Sequence, residues 1–373
     1  MKKSDVPGTL LEIYLHILIY RYIHITNQIR PPRRKPGLRD RGSCPTFGKR
    51  PEKQSVPGLV TMVPLRNSLQ CLSPSGTERY GKADMKIGNA LKDLKKPCIS
   101  FEFFPPSDDS ELPAFYDVAE KLAGASPLFA SVTYGAGGSK QGRTLSVAKA
   151  LAGMGLTVMS HLTCVGASPL RLMNYMYDLR EAGVNNILAL RGDPPKDKPF
   201  SWDGPFRHAS DLVSYIHRQQ PDFSIGVAGY PCPHPESVSY EEDRSYLLRK
   251  IQAGGDFVVT QLFFDARSYF ELVGWLRDHG CDCPVIPGIL PIQSFKSLRR
   301  VLSMCGASIP ARMFLELEDA DRRGGNDEVR RVGIDYAVQQ ITRLLVGGAP
   351  GIHLYSLNKA DLCLQIAREA GLV

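Results

Sequence analysis

From about residue 95 onward, short apolar runs alternate with stretches whose apolar positions recur every three to four residues. The runs Cys98–Phe104, Leu128–Tyr134, Leu156–Thr163, Asn186–Asp193, Ser224–Tyr230, Phe257–Phe264, Val285–Leu290 and Ile352–Leu357 have the length and composition of buried strands. Between them, Leu112, Phe115, Val118, Ala119 and Leu122 fall on one helical face, as do Tyr246, Leu247, Lys250 and Ile251, and Tyr269, Leu272, Val273 and Leu276. Gly124, Gly183, Gly254 and Gly280 close several of these helices. An extra helical stretch, about Ala311 to Leu345, precedes the last strand. Eight strands alternating with helices predict an α/β fold, a (β/α)8 TIM barrel over residues 95–373. An open doubly wound sheet is the alternative. The first strand, however, ends in Pro105-Pro106 instead of a Gly-rich turn, so dinucleotide binding of the Rossmann kind has no support.

The first 90 residues have a different texture. Leu10 to Ile25 is rich in Leu, Ile and Tyr, but Glu12, His16, Arg21 and His24 interrupt it. It falls short of the roughly 20 apolar residues of a membrane span, and no signal-peptide core or cleavage site is present. Arg30 to Arg50 is rich in Pro, Arg and Gly and is expected to be disordered. Residues 1–90 therefore read as a basic, low-order extension. It could be an organelle-targeting segment, a passive tail, or sequence upstream of a start at Met62 or Met85.

Charge separates the same two parts. Residues 1–90 carry 16 basic and 6 acidic side chains, against 30 and 32 in the remainder. The near-neutral main body argues against a nucleic-acid-binding domain, which would show a basic face. The nine cysteines are irregularly spaced, with no CxxC pair, and Cys281-Asp-Cys283 has no partner pair for zinc. Free, mostly buried thiols in a cytoplasmic protein are expected, with no metal and no membrane span.

The candidate chemistry lies where the apolar runs end, the side on which barrel enzymes keep their active sites. These ends are Glu102; Thr133-Tyr134-Gly135-Ala136; His161; Arg191-Gly192-Asp193; Tyr230; Gln261; Pro287 to Pro291; and Asn358-Lys359. In the first run, Phe101 and Phe103 face one side and Ser100, Glu102 and Phe104 the other. Glu102 is either a solvated or ion-paired edge residue, or a neutral acid among aromatics that can donate a proton. Gly135 to Lys140 fits neither glycine-rich phosphate motif and reads as a flexible loop or a close backbone approach to a ligand. Arg191 either grips a phosphate bidentately or pairs with Asp193. His161 is a ligand hydrogen bonder or a satisfied core histidine, and Arg249-Lys250 reads on its own as a solvated helix face.

Taken together, Ser100-Phe-Glu-Phe-Phe-Pro-Pro106, Val132-Thr-Tyr-Gly-Ala136, His161-Leu-Thr-Cys164, Ala189-Leu-Arg-Gly-Asp-Pro194, Val227-Ala-Gly-Tyr-Pro231, His234-Pro-Glu236, Thr260-Gln-Leu-Phe-Phe264, Pro287-Gly-Ile-Leu-Pro291 and Tyr355-Ser-Leu-Asn358 resemble the methylenetetrahydrofolate reductase family, in order and spacing, from about residue 96 to 373. The resemblance implies a barrel that binds FAD non-covalently and passes hydride from NADH or NADPH, through the flavin, to 5,10-methylenetetrahydrofolate. The product, 5-methyltetrahydrofolate, would feed methionine synthesis. Glu102 matches the family's general acid and Asp193 its carboxylate near flavin and pterin, with Gln261 as the pterin-contacting amide. Thr133, Tyr134, Ala136, His161, Arg191, Gly192, Asp193, Ala209, Tyr230, His234, Asp243, Arg249 and Lys250 match flavin-contacting positions.

Some positions depart from the family pattern. Ser297 and Val301 replace a Gln and an aromatic, Tyr246 replaces an Asn, and Lys359 keeps the charge of an Arg but not its fork. The end of the sequence at Val373 implies that the regulatory domain of animal and fungal members, and inhibition by S-adenosylmethionine, are absent. Family members are usually oligomeric. The competing readings are another FAD-dependent barrel, of the proline dehydrogenase kind, and a flavin- or folate-binding protein without activity.

Overall fold

The computed structural model describes residues 85–134, 141–194 and 199–373. The predicted alternation is present. In chain order the elements are α1 (Ile87–Lys92), β1 (Cys98–Phe103), α2 (Leu112–Ala123), β2 (Phe129–Val132), α3 (Gln141–Gly153), β3 (Val158–Thr163), α4 (Pro169–Glu181), β4 (Asn186–Leu190), α5 (Ala209–Gln219), β5 (Ser224–Gly229), α6 (Tyr240–Gln252), β6 (Phe257–Thr260), α7 (Ala266–Asp278), β7 (Val285–Ile286), β8 (Gly288–Ile289), α8 (Phe295–Cys305), α9 (Ala311–Val346), β9 (Gly351–Tyr355) and α10 (Ala360–Glu369). All pairings are parallel, in the order β7-β6-β5-β4-β3-β2-β1-β9-β8.

The seventh predicted strand explains why nine ladder segments arise from eight runs. Pro287 has no N–H to give to a ladder, so the run Val285–Leu290 breaks there. Val285 and Ile286 pair with β6, and Gly288 and Ile289 pair with β9. The chain itself bridges the two ends of the sheet and closes the barrel. An open sheet is thereby excluded.

Alternation along the strands sorts the side chains into two layers. Ile99, Phe101 and Phe103 of β1 pack outward with α2 residues Phe115, Ala119 and Leu122, in the large core between strands and helices. Cys98 points inward, into a smaller cluster with Phe129, Met159, Leu188, Phe257, Val259 and Ile286. Ser100 and Glu102 share its face, higher up the barrel.

The floor of the barrel corrects one boundary. Residues 85–90, assigned from sequence to the extension, begin a helix that seals the N-terminal end. Ile87 and Leu91 join the inner apolar cluster. Asn186 accepts a hydrogen bond from Ile87 N at 2.8 Å and donates to Met85 O at 3.0 Å, and Ser224 Oγ accepts from Gly88 N at 3.0 Å. The barrel therefore starts near residue 85, and the short apolar pattern of α1 was too brief to stand out in a basic, Pro-rich segment.

The extra helical stretch is also modified. α9 turns back at Gly325 (φ 61°, ψ −148°), a conformation that glycine adopts without cost. Its two arms meet through Met313, Leu317, Val329 and Val332, together with α8 residues Phe295, Leu298 and Val301. Tyr336 Oη donates to Glu316 across the hairpin at 2.5 Å. The seven described cysteines are free thiols, six of them buried. Among the described residues no helix is long and apolar enough to cross a membrane.

Replacing Ile87 by Ala in the full chain is expected to cost about 2–5 kcal/mol in urea unfolding, the range for a buried aliphatic side chain. A loss below about 1 kcal/mol would mean that α1 does not belong to the barrel core.

Candidate active site

The polar ends of the strands converge at the C-terminal mouth of the barrel. Glu102 stands at its centre, 5% exposed. Its Oε2 lies 3.5 Å from His161 Nε2 and 3.9 Å from His353 Nε2. Among the described residues, no Lys or Arg forms an ion pair with it. Burial holds the His161 imidazole neutral, pushed down to about 4, with the Glu102 charge offsetting part of that effect and His353 adding to it. Among the described residues, none hydrogen-bonds the buried His161 Nε2. The strand end that carries Glu102 is pinned from across the barrel seam. Ser356 Oγ donates to the Glu102 carbonyl, and Asn358 accepts from Phe104 N at 3.1 Å and donates to Phe104 O at 2.8 Å.

Arg191 does not pair with Asp193 alone. Its Nη1 donates to Glu236 Oε2 at 2.7 Å, and its guanidinium lies 5.5 Å from the Trp202 ring centroid. Gly192 adopts φ +77°, and a Cβ there would meet Thr163 Cβ at 2.8 Å, so the turn admits only glycine. Asp193 follows directly. Its charge reaches Tyr230, whose phenol burial raises first and the carboxylates of Asp193 and Asp243 raise further.

A second polar group forms around α6. Asp243, buried, accepts from His234 N at 3.2 Å and Ser237 Oγ at 2.9 Å, which fixes the loop after β5. Lys250 donates to the Ala228 carbonyl at 2.5 Å, with its Nζ 5.8 Å from the Tyr230 centroid. Tyr230 in turn meets His234 edge-on at 5.1 Å. Burial lowers the Lys250 ammonium to about 8, with Asp243 opposing that effect. Lys250 is thus no solvated helix residue. Arg249 is exposed and lies over the Tyr246 ring at 5.4 Å.

The remaining predicted residues fall around the rim. Thr133 is buried, with its N–H on Phe103 O at 3.0 Å, and Tyr134 stands edge-on to Tyr175. Ala209 opens α5, whose cap residue His208 receives a hydrogen bond from Cys164 Sγ on its carbonyl at 3.4 Å. Gln261 turns its Oε1 to its neighbour's Leu262 N–H at 2.9 Å, which leaves the NH2 group as donor. Lys359 caps α10 from its backbone. Ser297 bonds within its own helix cap, and Val301 is buried in the α8–α9 cluster. Ala136 and the rest of Gly135 to Lys140 lie outside the described residues.

Tyr355, His353, Glu236 and Trp202 were not singled out individually from sequence. Tyr355 Oη donates to the Thr260 carbonyl at 2.6 Å, and its phenol is raised well above the usual range by burial and then by Glu102. The signal for His353 and Tyr355 was the period-two alternation of the last strand, which places both on the inner face beside Ser100 and Glu102. Among the described residues no cluster of His, Cys, Asp and Glu could hold a metal ion. A cleft of about 930 Å³ lies elsewhere, between the start of α7 and the arms of α9. Its Arg312, Arg323 and Arg331 already pair with neighbouring carboxylates, and it holds none of the convergent residues above.

The arrangement offers a dry carboxyl flanked by neutral imidazole, suited to giving up a proton. Cationic groups on the β4 and α6 side suit a phosphorylated ligand. The sequence profile of methylenetetrahydrofolate reductases matches residues 86–371. The 5,10-methylenetetrahydrofolate reductase of Escherichia coli K12 is 37% identical over 278 residues, covering 73% of this chain and 90% of its own. Methylenetetrahydrofolate reductase (NADH) 1 of Arabidopsis thaliana is 34% identical over 305 residues, covering 78% of this chain and 51% of its own. The chain thus spans about half the length of the plant relative. An uncharacterized Clostridium thermocellum protein, solved with two copies of 5-methyl-5,6,7,8-tetrahydrofolic acid, shares the fold at a TM-score of 0.52 and 13% identity, covering 77% of this chain and 98% of its own.

Gly192→Ala is expected to lower stability by about 1–3 kcal/mol, through left-handed strain and the Thr163 contact. The loss should appear as an earlier denaturant midpoint with an unchanged slope.

Proposed function

The chain belongs to the methylenetetrahydrofolate reductase family, and we propose that this barrel reduces 5,10-methylenetetrahydrofolate to 5-methyltetrahydrofolate with NADH or NADPH, using FAD held at the strand ends. The observation that carries the reading is the buried Glu102 carboxyl, set in the barrel mouth with no Lys or Arg paired to it among the described residues.

The residues present fit the flavin. His161 Nε2 is buried with no hydrogen-bond partner among the described residues. The Lys250 ammonium is enclosed, with its hydrogen bond on a backbone carbonyl. Gly192, packed against Thr163 and Val165, turns the chain between Arg191 and Asp193. Lys250 and Arg191 would offset the charge of a pyrophosphate, and His161, Tyr230 and Thr133 would line the ring system. FAD, when bound, supplies the hydride, taken from the nicotinamide, that turns the folate's methylene into a methyl group.

The protein's part is proton transfer and orientation. Opening the folate's five-membered ring breaks the bond between N10 and the methylene carbon, leaving an N5 iminium that can accept hydride. Glu102 protonates N10 as that bond breaks, so no amide anion has to leave. Asp193 hydrogen-bonds the pterin and places a negative charge where electron-rich flavin would sit, which lowers its tendency to hold electrons. The Gln261 NH2 group is free to donate to the pterin edge. Lys359 offers a positive charge to the folate tail. Methylenetetrahydrofolate and the nicotinamide are the partners, and no nucleic acid is involved.

The experiment is an anaerobic visible spectrum of the FAD-loaded protein, with NADH and then methylenetetrahydrofolate added. Flavin bands should bleach and return. Glu102→Gln should keep the bleaching and slow the return by about 100-fold or more. A flavin that bleaches but is not reoxidised by the folate in the unaltered protein would sink the substrate assignment.

A second prediction concerns Lys250. A bound pyrophosphate favours the charged ammonium, so binding takes up a proton once pH exceeds about 8, where the free protein's lysine is neutral. FAD affinity should be level with respect to this group below that pH and fall by up to about tenfold per unit above it. Lys250→Met should weaken binding and flatten that dependence, as read by fluorescence titration of FAD.

A further inference from the structure

Beneath Glu102 the inner face of the barrel carries three polar side chains above the apolar floor. They are Ser100 on β1, Ser131 on β2 opposite Glu102, and His353 on β9 opposite Ser100. All three are at most 1% exposed. Buried polar groups in such a place are retained with specific partners. When Ser100 Oγ donates to the Ile352 carbonyl, at 3.2 Å, it acts as acceptor towards His353 Nδ1, at 2.9 Å. In that arrangement the ring proton sits on Nδ1. Nε2 presents a lone pair to Ser131 Oγ at 3.3 Å and to Glu102 Oε2 at 3.9 Å. Stacking on Phe129, with centroids 5.5 Å apart and 15° between planes, and an edge contact with Tyr355 at 5.5 Å hold the ring in that plane.

We propose that His353 is a positioning residue for the folate half-reaction, its Nε2 lone pair keeping the transferable proton on Glu102. This rests on the reading of Glu102 as the proton donor. A lone pair close to a carboxyl in a dry site is unfavourable to the anion and favourable to the neutral acid. Glu102 is then loaded when substrate arrives, while the imidazole itself does not touch the folate. The other titratable groups facing the pair are His161 from β3, held neutral by burial, and Tyr355 from β9, whose phenol stays protonated. Neither brings a compensating positive charge, so the tautomer of His353 decides which form of Glu102 is favoured.

The test compares His353→Asn, which keeps an N–H at the Nδ1 position and removes the acceptor, with His353→Gln, whose amide oxygen reaches the Nε2 position. Flavin reoxidation by methylenetetrahydrofolate is followed anaerobically across pH, with Glu102→Gln alongside. The rate requires protonated Glu102, so it falls as pH rises. In His353→Asn this fall should begin about one pH unit lower, with reoxidation about tenfold slower at neutral pH. Reduction by NADH should be unchanged, and His353→Gln should recover most of the loss. Independently of turnover, 15N shifts of the unaltered protein should show Nδ1 protonated and Nε2 bare. A profile lowered uniformly at every pH, equal losses in both half-reactions, or a proton on Nε2 would overturn the role of His353. Reoxidation undiminished in Glu102→Gln would instead overturn the proton-donor reading itself. If His353→Asn loses its flavin or its fold, the His353→Gln profile and the 15N shifts decide.

Discussion

A barrel strand has two faces, and every functional statement about this protein depends on how that constraint falls on β1. Phe101 and Phe103 take the outer face and tie the strand to α2. Cys98, Ser100 and Glu102 are left on the inner face, rising from the apolar floor to the mouth. A shift of one residue would bury Glu102 under helices and point two phenylalanines into the site. The outward aromatics therefore hold the acid in place, because the register that packs them is the register that presents the carboxyl.

The mouth built on that register is divided electrostatically. Around Glu102 the neighbours are buried: the His161 imidazole, held neutral by burial, the His353 imidazole and the Tyr355 phenol. Across from it, Arg191, Asp193, Glu236, Asp243 and Lys250 form a charged half whose cations have partners of unequal quality. Arg191 has a carboxylate at 2.7 Å, whereas Lys250 is hydrogen-bonded to a backbone carbonyl and has its ammonium pulled down to about 8. A cation left this short of counter-charge costs stability in the free protein. An anion bound there, as proposed, would offset that cost. Around Glu102, among the described residues, no Lys or Arg forms an ion pair with the carboxylate.

The elements around the mouth supply rigidity. Pro287 switches the seventh strand between partners and closes the barrel. Asn358, at φ +54°, locks the start of α10 onto the end of β1 by two hydrogen bonds to Phe104. Below, α1 seals the floor through Asn186 and Ser224, so the inner polar tier of Ser100, Ser131 and His353 is shielded from water on that side as well.

The sequence by itself determined the barrel and most of the polar rim at its strand ends. Strand and helix periods are local properties, and the C-terminal end of each strand is where the apolar run stops. Glu102, Arg191 to Asp193 and Gln261 were legible for that reason. Lys250 looked like a solvated helix residue until family resemblance gave it a role, because helical spacing does not say how deep a helix face sits. Tertiary structure alone decided that Arg191 pairs with Glu236, 45 positions away, and that His353 lies beside Ser100, 253 positions away. It also placed α1 under the floor and folded α9 at Gly325. These are distances between residues far apart in the chain, set by closing the barrel, and no local pattern of polar and apolar residues encodes them.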